Sequence, residues 1–408
     1  MDKSGGFLLR MRFLLVPVLV ILLTTFASAQ KDSIKDKEGY VFSNETRLAA
    51  TPVKNQFRSG TCWSFGTLAM IESELLRMGK GEYDLSEMFV VWHTYSDKAD
   101  RYVRMHGNMN FSAGGALPDG FYVLDKYGMV PEEAYDGKVI GEENHVHGEM
   151  DAVLKSFVDA IIKNPNRKLT PVWKDGFDKV LEAYLGAYPE KFTYKGKEYT
   201  PKSFAAMLGI KRSDYVQLSS FTHQPFYEPF IVEVPDNWNN DVAYNLPLDE
   251  LIEVIDNALS KGYTMVWASD VSEKGFSHRN GVAIVPETDP SEIEGMERAR
   301  WEQMTQKEKD DMLYNFKSPV KEKQITQEER QKGFDNFTTT DDHAMHIVGT
   351  ANDQNGTKYY IVKNSWGSDN NPYGGYIYVS ESFMRYKTIS LMVHKDGIPK
   401  KLKNKLNL

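Results

Sequence analysis

The sequence predicts an α+β fold of two lobes, a helical lobe followed by a β-rich one, with a helical subdomain inserted between them. Three observations carry that expectation. A broad apolar stripe at helical spacing begins at Cys62 and stops at Gly79 and Gly81. Runs of β-branched and aromatic residues dominate after Tyr263. Between Gly141 and Asn245 the chain turns to helical patterning broken by Pro165, Pro171, Pro189 and Pro201. With 408 residues, 41% hydrophobic and 26% charged, there is ample apolar material for a core.

Taken in order, residues 1–29 read as a secretory signal. Lys3, Arg10 and Arg12 supply positive charge, Phe13 to Leu23 is an unbroken apolar run, and Ala27-Ser28-Ala29 is a small-residue cleavage site. The run has 11 residues, whereas a spanning helix needs about 20. No stable membrane insertion is therefore expected after cleavage, and the chain is expected to be exported, periplasmic or secreted. Cleavage would remove Asp2, Lys3, Arg10 and Arg12 and take the net charge from −8 to −10. That balance argues against a phosphate-tracking surface, so nucleic acid is not expected as a partner. An exported chain with one cysteine holds no internal disulfide, which suits a bacterial envelope best.

Residues 30–140 should form a polar arm and the helical lobe: a helix from Cys62 to Met78 entered through Gly60 and Thr61, a second from Ser86, and a third from Asp119 to Tyr127 closed by Gly128. Residues 141–245 are the inserted subdomain, ending in the Pro- and Asn-rich loop Gln224 to Asn240. Residues 246–408 should supply strands at 263–271, 344–350, 359–363, 376–380 and 388–393. They also hold a charged helical stretch, Pro286 to Lys332, and a Lys-rich tail, Lys395 to Leu408.

The single cysteine is the chemical focus. One thiol excludes a multi-thiolate zinc or iron–sulfur site, and Cys62 is then either a buried hydrophobe or a nucleophile. A Cys at a helix start beside Trp63 reads, on those residues alone, more readily as a small hydrophobe. Yet the unsatisfied N–H groups of a helix N-terminus lower a thiol pKa. Gln56, six residues earlier across a Gly-containing loop, can bring an amide N–H to the same point as the Cys62 N–H, and two such donors make an oxyanion hole. His343 opens one expected strand and Asn364 closes the next, so the Asn oxygen can hold the imidazole across a hairpin while Trp366 shields the bond. His346, three places along the strand, points to the other face. His145 and His147 lie in a polar stretch without partners for a metal set and are expected to be exposed; His93 and His106 are expected to be satisfied or exposed. No metal and no other cofactor is expected.

Together these residues resemble the papain-like cysteine peptidases. Gln56 with Cys62-Trp63-Ser64-Phe65, Leu85-Ser86-Glu87, Gly114-Gly115, Tyr127-Gly128-Met129-Val130-Pro131, His343-Ala344-Met345 and Lys363-Asn364-Ser365-Trp366-Gly367 occur in that family's order. The resemblance implies a papain-like two-lobe fold with a β-barrel-like second lobe and a peptide substrate. It also implies Cys62 as nucleophile, His343 as acid/base, Asn364 as orienting amide and Gln56 as oxyanion donor. The backbone of Gly114 and Gly115 would pair with the substrate, and Ala344 and Pro118 would line the pocket for its second side chain. The long spacing from Cys62 to His343, with segments such as Thr200-Pro201-Lys202-Ser203-Phe204, is most similar to the bleomycin hydrolase and aminopeptidase C branch. That branch implies aminopeptidase action, a hexameric homo-oligomer and a C-terminal arm whose carboxylate captures the substrate amine. An endopeptidase with an open cleft and a non-catalytic peptide binder are the alternatives. Ser59 stands where secreted relatives of the family carry a bridged Cys.

Overall fold

The computed structural model describes residues 39–287 and 303–408. The expected signal segment and part of the charged stretch after Pro286 lie outside the described residues.

Helix α1 (Cys62–Arg77) is the centre of the helical lobe. Trp63 to Leu75 is buried without interruption, so α1 is a core helix enclosed on all sides rather than the one-sided stripe its sequence suggested. It ends where Gly79 takes a left-handed φ of 71°, a conformation glycine adopts without strain. Helix α2 (Glu87–Arg104) starts on Ser86, whose hydroxyl accepts the Phe89 N–H at 3.1 Å. Helix α3 (Asp119–Lys126) follows, closed by Gly128 as expected.

The stretch read as inserted contributes α4 (Gly148–Ile162), α5 (Val172–Leu185), a hairpin of β2 (Phe192–Tyr194) and β3 (Lys197–Tyr199), and α6 (Pro201–Leu208). Pro201 is the first residue of α6, where a missing N–H costs nothing, and Thr200 and Ser203 close a capping box before it. The buried faces of these helices, Leu154, Val158, Phe177, Leu181, Phe204 and Leu208 among them, join one core with α1 to α3.

After α6 the chain enters a single large sheet. Its strands are β4 (Tyr215–Ser219), β5 (Pro229–Ile231), β6 (Val242–Asn245), β7 (Met265–Ser269), β8 (Phe276–Ser277), β9 (Val282–Ala283), β10 (His343–Asn352), β11 (Lys358–Lys363), β12 (Tyr376–Ser380) and β13 (Thr388–His394). They are ordered β5-β6-β4-β13-β7-β10-β11-β12-β9-β8, and β1 (Ser43–Arg47), from the N-terminal arm, pairs with β10. The end strands do not pair with one another, and β4–β6 and β9–β12 run parallel. The barrel-like closure expected of this lobe is thus replaced, among the described residues, by an open mixed sheet. Helices α7 (Leu248–Ser260), α8 (Gln306–Leu313), α9 (Gln327–Asp335), α10 (Glu381–Lys387) and α11 (Lys400–Lys405) complete the chain.

The middle of the sheet is covered on both faces, and the two-residue period of a strand sorts its side chains between two cores. Val266, Ala268, Ala344, Ile389 and Met392 face the helical lobe, whereas Met265, Trp267, Met345, Ile347, Leu391 and Val393 pack with Leu251 and Ile255 of α7. Contact between α1 and the sheet is close at Gly66, where a side chain would force its neighbours to give way. A Cβ on Gly66 would stand 3.2 Å from Val266 Cγ2 and 3.3 Å from the Ala344 carbonyl carbon.

A Gly66→Leu substitution should therefore push α1 off the sheet. We expect a loss of about 1–3 kcal/mol in urea unfolding, in the range for overpacked cores, and a larger fractional loss of turnover, since Cys62 moves with α1. A variant of wild-type stability and turnover would contradict this packing.

Candidate active site

The segment before α1 is held from several sides. Lys54 Nζ reaches Glu72 at 3.1 Å, Glu87 at 2.7 Å and the Leu85 carbonyl at 3.1 Å, tying the arm to α1 and α2. Gln56 is buried; its N–H donates to the Ser365 carbonyl at 2.8 Å, and its Oε1 accepts the Ser365 hydroxyl at 2.6 Å. With Oε1 so occupied, the Gln56 amide nitrogen is the end left to face the cavity that Gln56 lines.

The turn into α1 takes Gly60 through φ 67°, and a Cβ there would lie 2.7 Å from the Ala113 methyl carbon. Thr61 does not cap the helix as expected: its hydroxyl shares a 2.5 Å bond with Ser59 instead. The first-turn N–H groups are consequently not closed by a side chain, which suits an oxyanion site. Behind this turn, Arg58 forms a parallel bridge with Val146: the Arg58 N–H donates to the His145 carbonyl at 3.0 Å and the His147 N–H to the Arg58 carbonyl at 3.1 Å. This corrects the expectation that His145 and His147 are exposed. Both are buried, and burial pushes each imidazole down to about 4. His93 is buried too, stacked on Tyr127 at 3.9 Å between ring centroids.

His343 opens β10 and is buried; Asn364 follows the last residue of β11. The His343 Nε2 to Asn364 Oδ1 distance is 2.7 Å, and the same oxygen accepts the Ser365 N–H at 2.8 Å. An amide oxygen only accepts, so Nε2 carries the proton and Nδ1 is left as the base. The Trp366 ring lies over the imidazole, 4.6 Å between centroids and tilted by 33°. His346 is buried on the sheet and does not line the cavity, in keeping with its position three places along the strand.

Gln56, Cys62, Gly114, Gly115, His343, Ala344 and Trp366 all line one cavity of about 360 Å³, and Asn364 stands immediately behind His343. Two expectations change here. Pro118 does not line the cavity; Leu117 does. Gly114 is not wholly free for substrate pairing, because its carbonyl accepts from the buried Lys98 ammonium, which also bonds the Ser112 carbonyl at 3.2 Å. Gly115 keeps its backbone unpaired among the described residues, and a Cβ there would come within 2.7 Å of the Trp63 ring. The cavity also holds residues the sequence reading passed over. Asp236 sits in the Pro-rich loop and Asp341 lies two residues before the histidine; outside the cavity, His278 Nδ1 lies 3.4 Å from Asn364 Nδ2. Only Asp341 carried a visible signal, its place two residues before His343.

The electrostatics differ from the simple helix-terminus expectation. Burial, with Asp341 and Asp236 acting in the same direction, pushes the Cys62 thiol up to about 12 against the backbone bonds of Ala344 and Trp63. Burial pushes His343 down to about 4, opposed by its bond to Asn364. Each ion alone is disfavoured in this dry cleft. A thiolate and an imidazolium formed together compensate one another's lost hydration.

Fold and cavity together define a papain-like cysteine peptidase. The chain belongs to the Peptidase C1-like family, whose model matches residues 20–289 and 295–408. It is 24% identical to aminopeptidase C of Listeria monocytogenes over 406 residues, 89% of this chain and 84% of that protein. It is 23% identical to aminopeptidase E of Lactobacillus helveticus over 423 residues, 92% of this chain and 88% of that protein. The crystal structure of PepW from Lactobacillus rhamnosis has the same fold, with a TM-score of 0.66 at 17% identity over 96% of this chain and 92% of that one.

If the thiolate depends on the imidazolium, iodoacetamide at pH 6 should alkylate Cys62 in the wild-type chain at least about tenfold faster than in His343→Ala, the effect of one unit of thiol pKa. Equal rates, read by mass spectrometry of the alkylated peptide, would show that His343 does not ionise the thiol.

Proposed function

We propose that the chain is an aminopeptidase that cleaves peptide bonds through a Cys62 thioester. The observation that carries this reading is the convergence of Cys62, the free amide end of Gln56 and the His343–Asn364 pair on one cavity. A proton passes from Cys62 Sγ to His343 Nδ1, and the thiolate attacks the substrate carbonyl. The Cys62 N–H and Gln56 Nε2 receive the developing oxyanion. His343 then returns its proton to the leaving amine, and water, deprotonated by the same nitrogen, hydrolyses the thioester. Asn364 keeps the imidazole in the tautomer that this sequence of transfers needs. The named aminopeptidase relatives support action at a free N-terminus. Export of this peptidase to a bacterial envelope, read from residues 1–29, is part of the same proposal.

Cys62→Ala should abolish hydrolysis of a fluorogenic peptide, and Gln56→Ala should lower kcat by about 10²–10³-fold, the effect of one oxyanion donor. The aminopeptidase reading requires that a free N-terminus be cleaved faster than its acetylated counterpart; faster cleavage of the blocked peptide would make the chain an endopeptidase. Export is checked by N-terminal sequencing of the protein recovered outside the cytoplasm, which should begin at Gln30.

A further inference from the structure

The described tail lies away from this cleft. The tail after β13 turns into α11, where Leu402 and Leu406 are buried against the α7 core, and Lys405 bonds Glu250 at 2.7 Å and the Tyr227 hydroxyl at 3.0 Å. No residue of 395–408 lines the cavity.

One wall of the cavity is built by the loop between β5 and β6. Trp238 Nε1 donates to Asp119 Oδ2 at 2.9 Å. Asn237 Nδ2 donates to the Val232 and Asp241 carbonyls at 3.0 and 2.9 Å, and the Asp241 N–H returns a bond to Asn237 Oδ1 at 2.8 Å. This bracing holds Asp236 in place. Its Oδ1 accepts from Asn110 Nδ2 at 2.9 Å and from the Ser112 hydroxyl at 3.3 Å, while Oδ2 has no donor among the described residues and lies against Gly114, where a Cβ would overlap it.

The wall from Ala113 to Gly115 runs alongside the nucleophile, with Ala113 against Gly60 and Gly115 against Trp63. An extended substrate advances about 3.4 Å per residue, so a chain laid along Gly115 from Cys62 reaches Gly114 and Asp236 within one or two residues. Asp341 lines the same cavity, near enough to Asp236 for the two carboxyl groups to act on one another electrostatically. The charge here is unbalanced. Lys98 supplies one ammonium against Asp236, Asp119 and Asp151, and burial beside Asp236 and Asp342 pushes Asp341 up to about 8. A cation placed between Asp236 and Asp341 would relieve that excess.

Resting on the aminopeptidase reading, we propose that Asp236, with Asp341 in the same cavity, binds the free α-ammonium of the substrate and sets how many residues precede the scissile bond. Oδ2 of Asp236 is the acceptor, presented by a loop already fixed, so little ordering is needed on binding. The same two carboxylates would also accept a lysine or arginine side chain, and the experiment separates the two sources.

The test compares kcat/KM of wild type, Asp236→Asn and Asp341→Asn on peptides with one or two residues before the cleaved bond, each with a free and an acetylated N-terminus. Taking the ratio of free to acetylated cancels any effect of Asp341 on the thiol. We expect the ratio to fall at least about tenfold in Asp236→Asn, mainly through KM, and less in Asp341→Asn. The longer or shorter peptide that wild type prefers gives the register. An unchanged ratio in both variants, with wild type preferring the free amine, overturns the anchor and leaves the aminopeptidase reading intact. Wild type preferring the acetylated peptide overturns both. A loss confined to acetylated peptides carrying lysine or arginine before the scissile residue overturns the anchor in favour of a side-chain pocket.

Discussion

Backbone contact between α1 and β10 is the constraint on which the site depends. Cys62 and His343 are far apart in the chain. Glycine at position 66 allows a close approach of α1 to Ala344, where a Cβ would force its neighbours to shift. The far side of α1 is fastened by Glu72, which accepts the Thr51 hydroxyl at 2.5 Å, the Lys54 ammonium at 3.1 Å and the Leu85 N–H at 2.9 Å. These bonds carry the arm that ends in Gln56, so nucleophile, oxyanion donor and base are all referenced to one helix. Such polar ties within a core are costly to break because the partners left behind have no water to turn to.

The electrostatic character of the cleft follows from what surrounds that helix. Its N-terminus favours an anion, but the loop from β5 to β6 and the Asp341–Asp342 pair bring carboxylates to the same cavity and exclude water. Lys98 bonds the carbonyls of Ser112 and Gly114, fixing the wall, and its single ammonium offsets only part of the acidity around it. Burial there disfavours a lone thiolate and a lone imidazolium alike, and a positively charged substrate end would improve the balance. Reactivity and selectivity are thereby coupled through the same field.

Much of this was legible in the residues. Cys62 at a helix start, Gln56 across a glycine turn, and His343 facing Asn364 across a hairpin were readable because each depends on local geometry plus one strand pairing. Strands β7 and β10 to β13 announced themselves through buried runs of Val, Ile and Tyr. What escaped was set by partners distant in sequence. Strands β4 to β6 are short and lie in a stretch whose prolines suggested loops and helix ends. His145 and His147 sit in a polar segment with no apolar period, and it is distant partners, the Arg58 backbone and for His145 the Phe65 ring, that enclose them. Asp236 looks like any loop aspartate until Gly114, more than a hundred residues earlier, is found beneath it.

The bridge between Arg58 and Val146 has one more consequence. Where relatives in the family staple this turn with a disulfide, here backbone hydrogen bonds and the Ser59–Thr61 hydroxyl pair brace it. The protein's one sulfhydryl is the proposed nucleophile, Cys62. Its oxidation to sulfenic acid or a mixed disulfide would silence the chemistry, while no internal disulfide shapes the architecture. Damage of that kind is reversible by a thiol reductant with no refolding step, a separation of switch from scaffold that disulfide-stapled enzymes do not have.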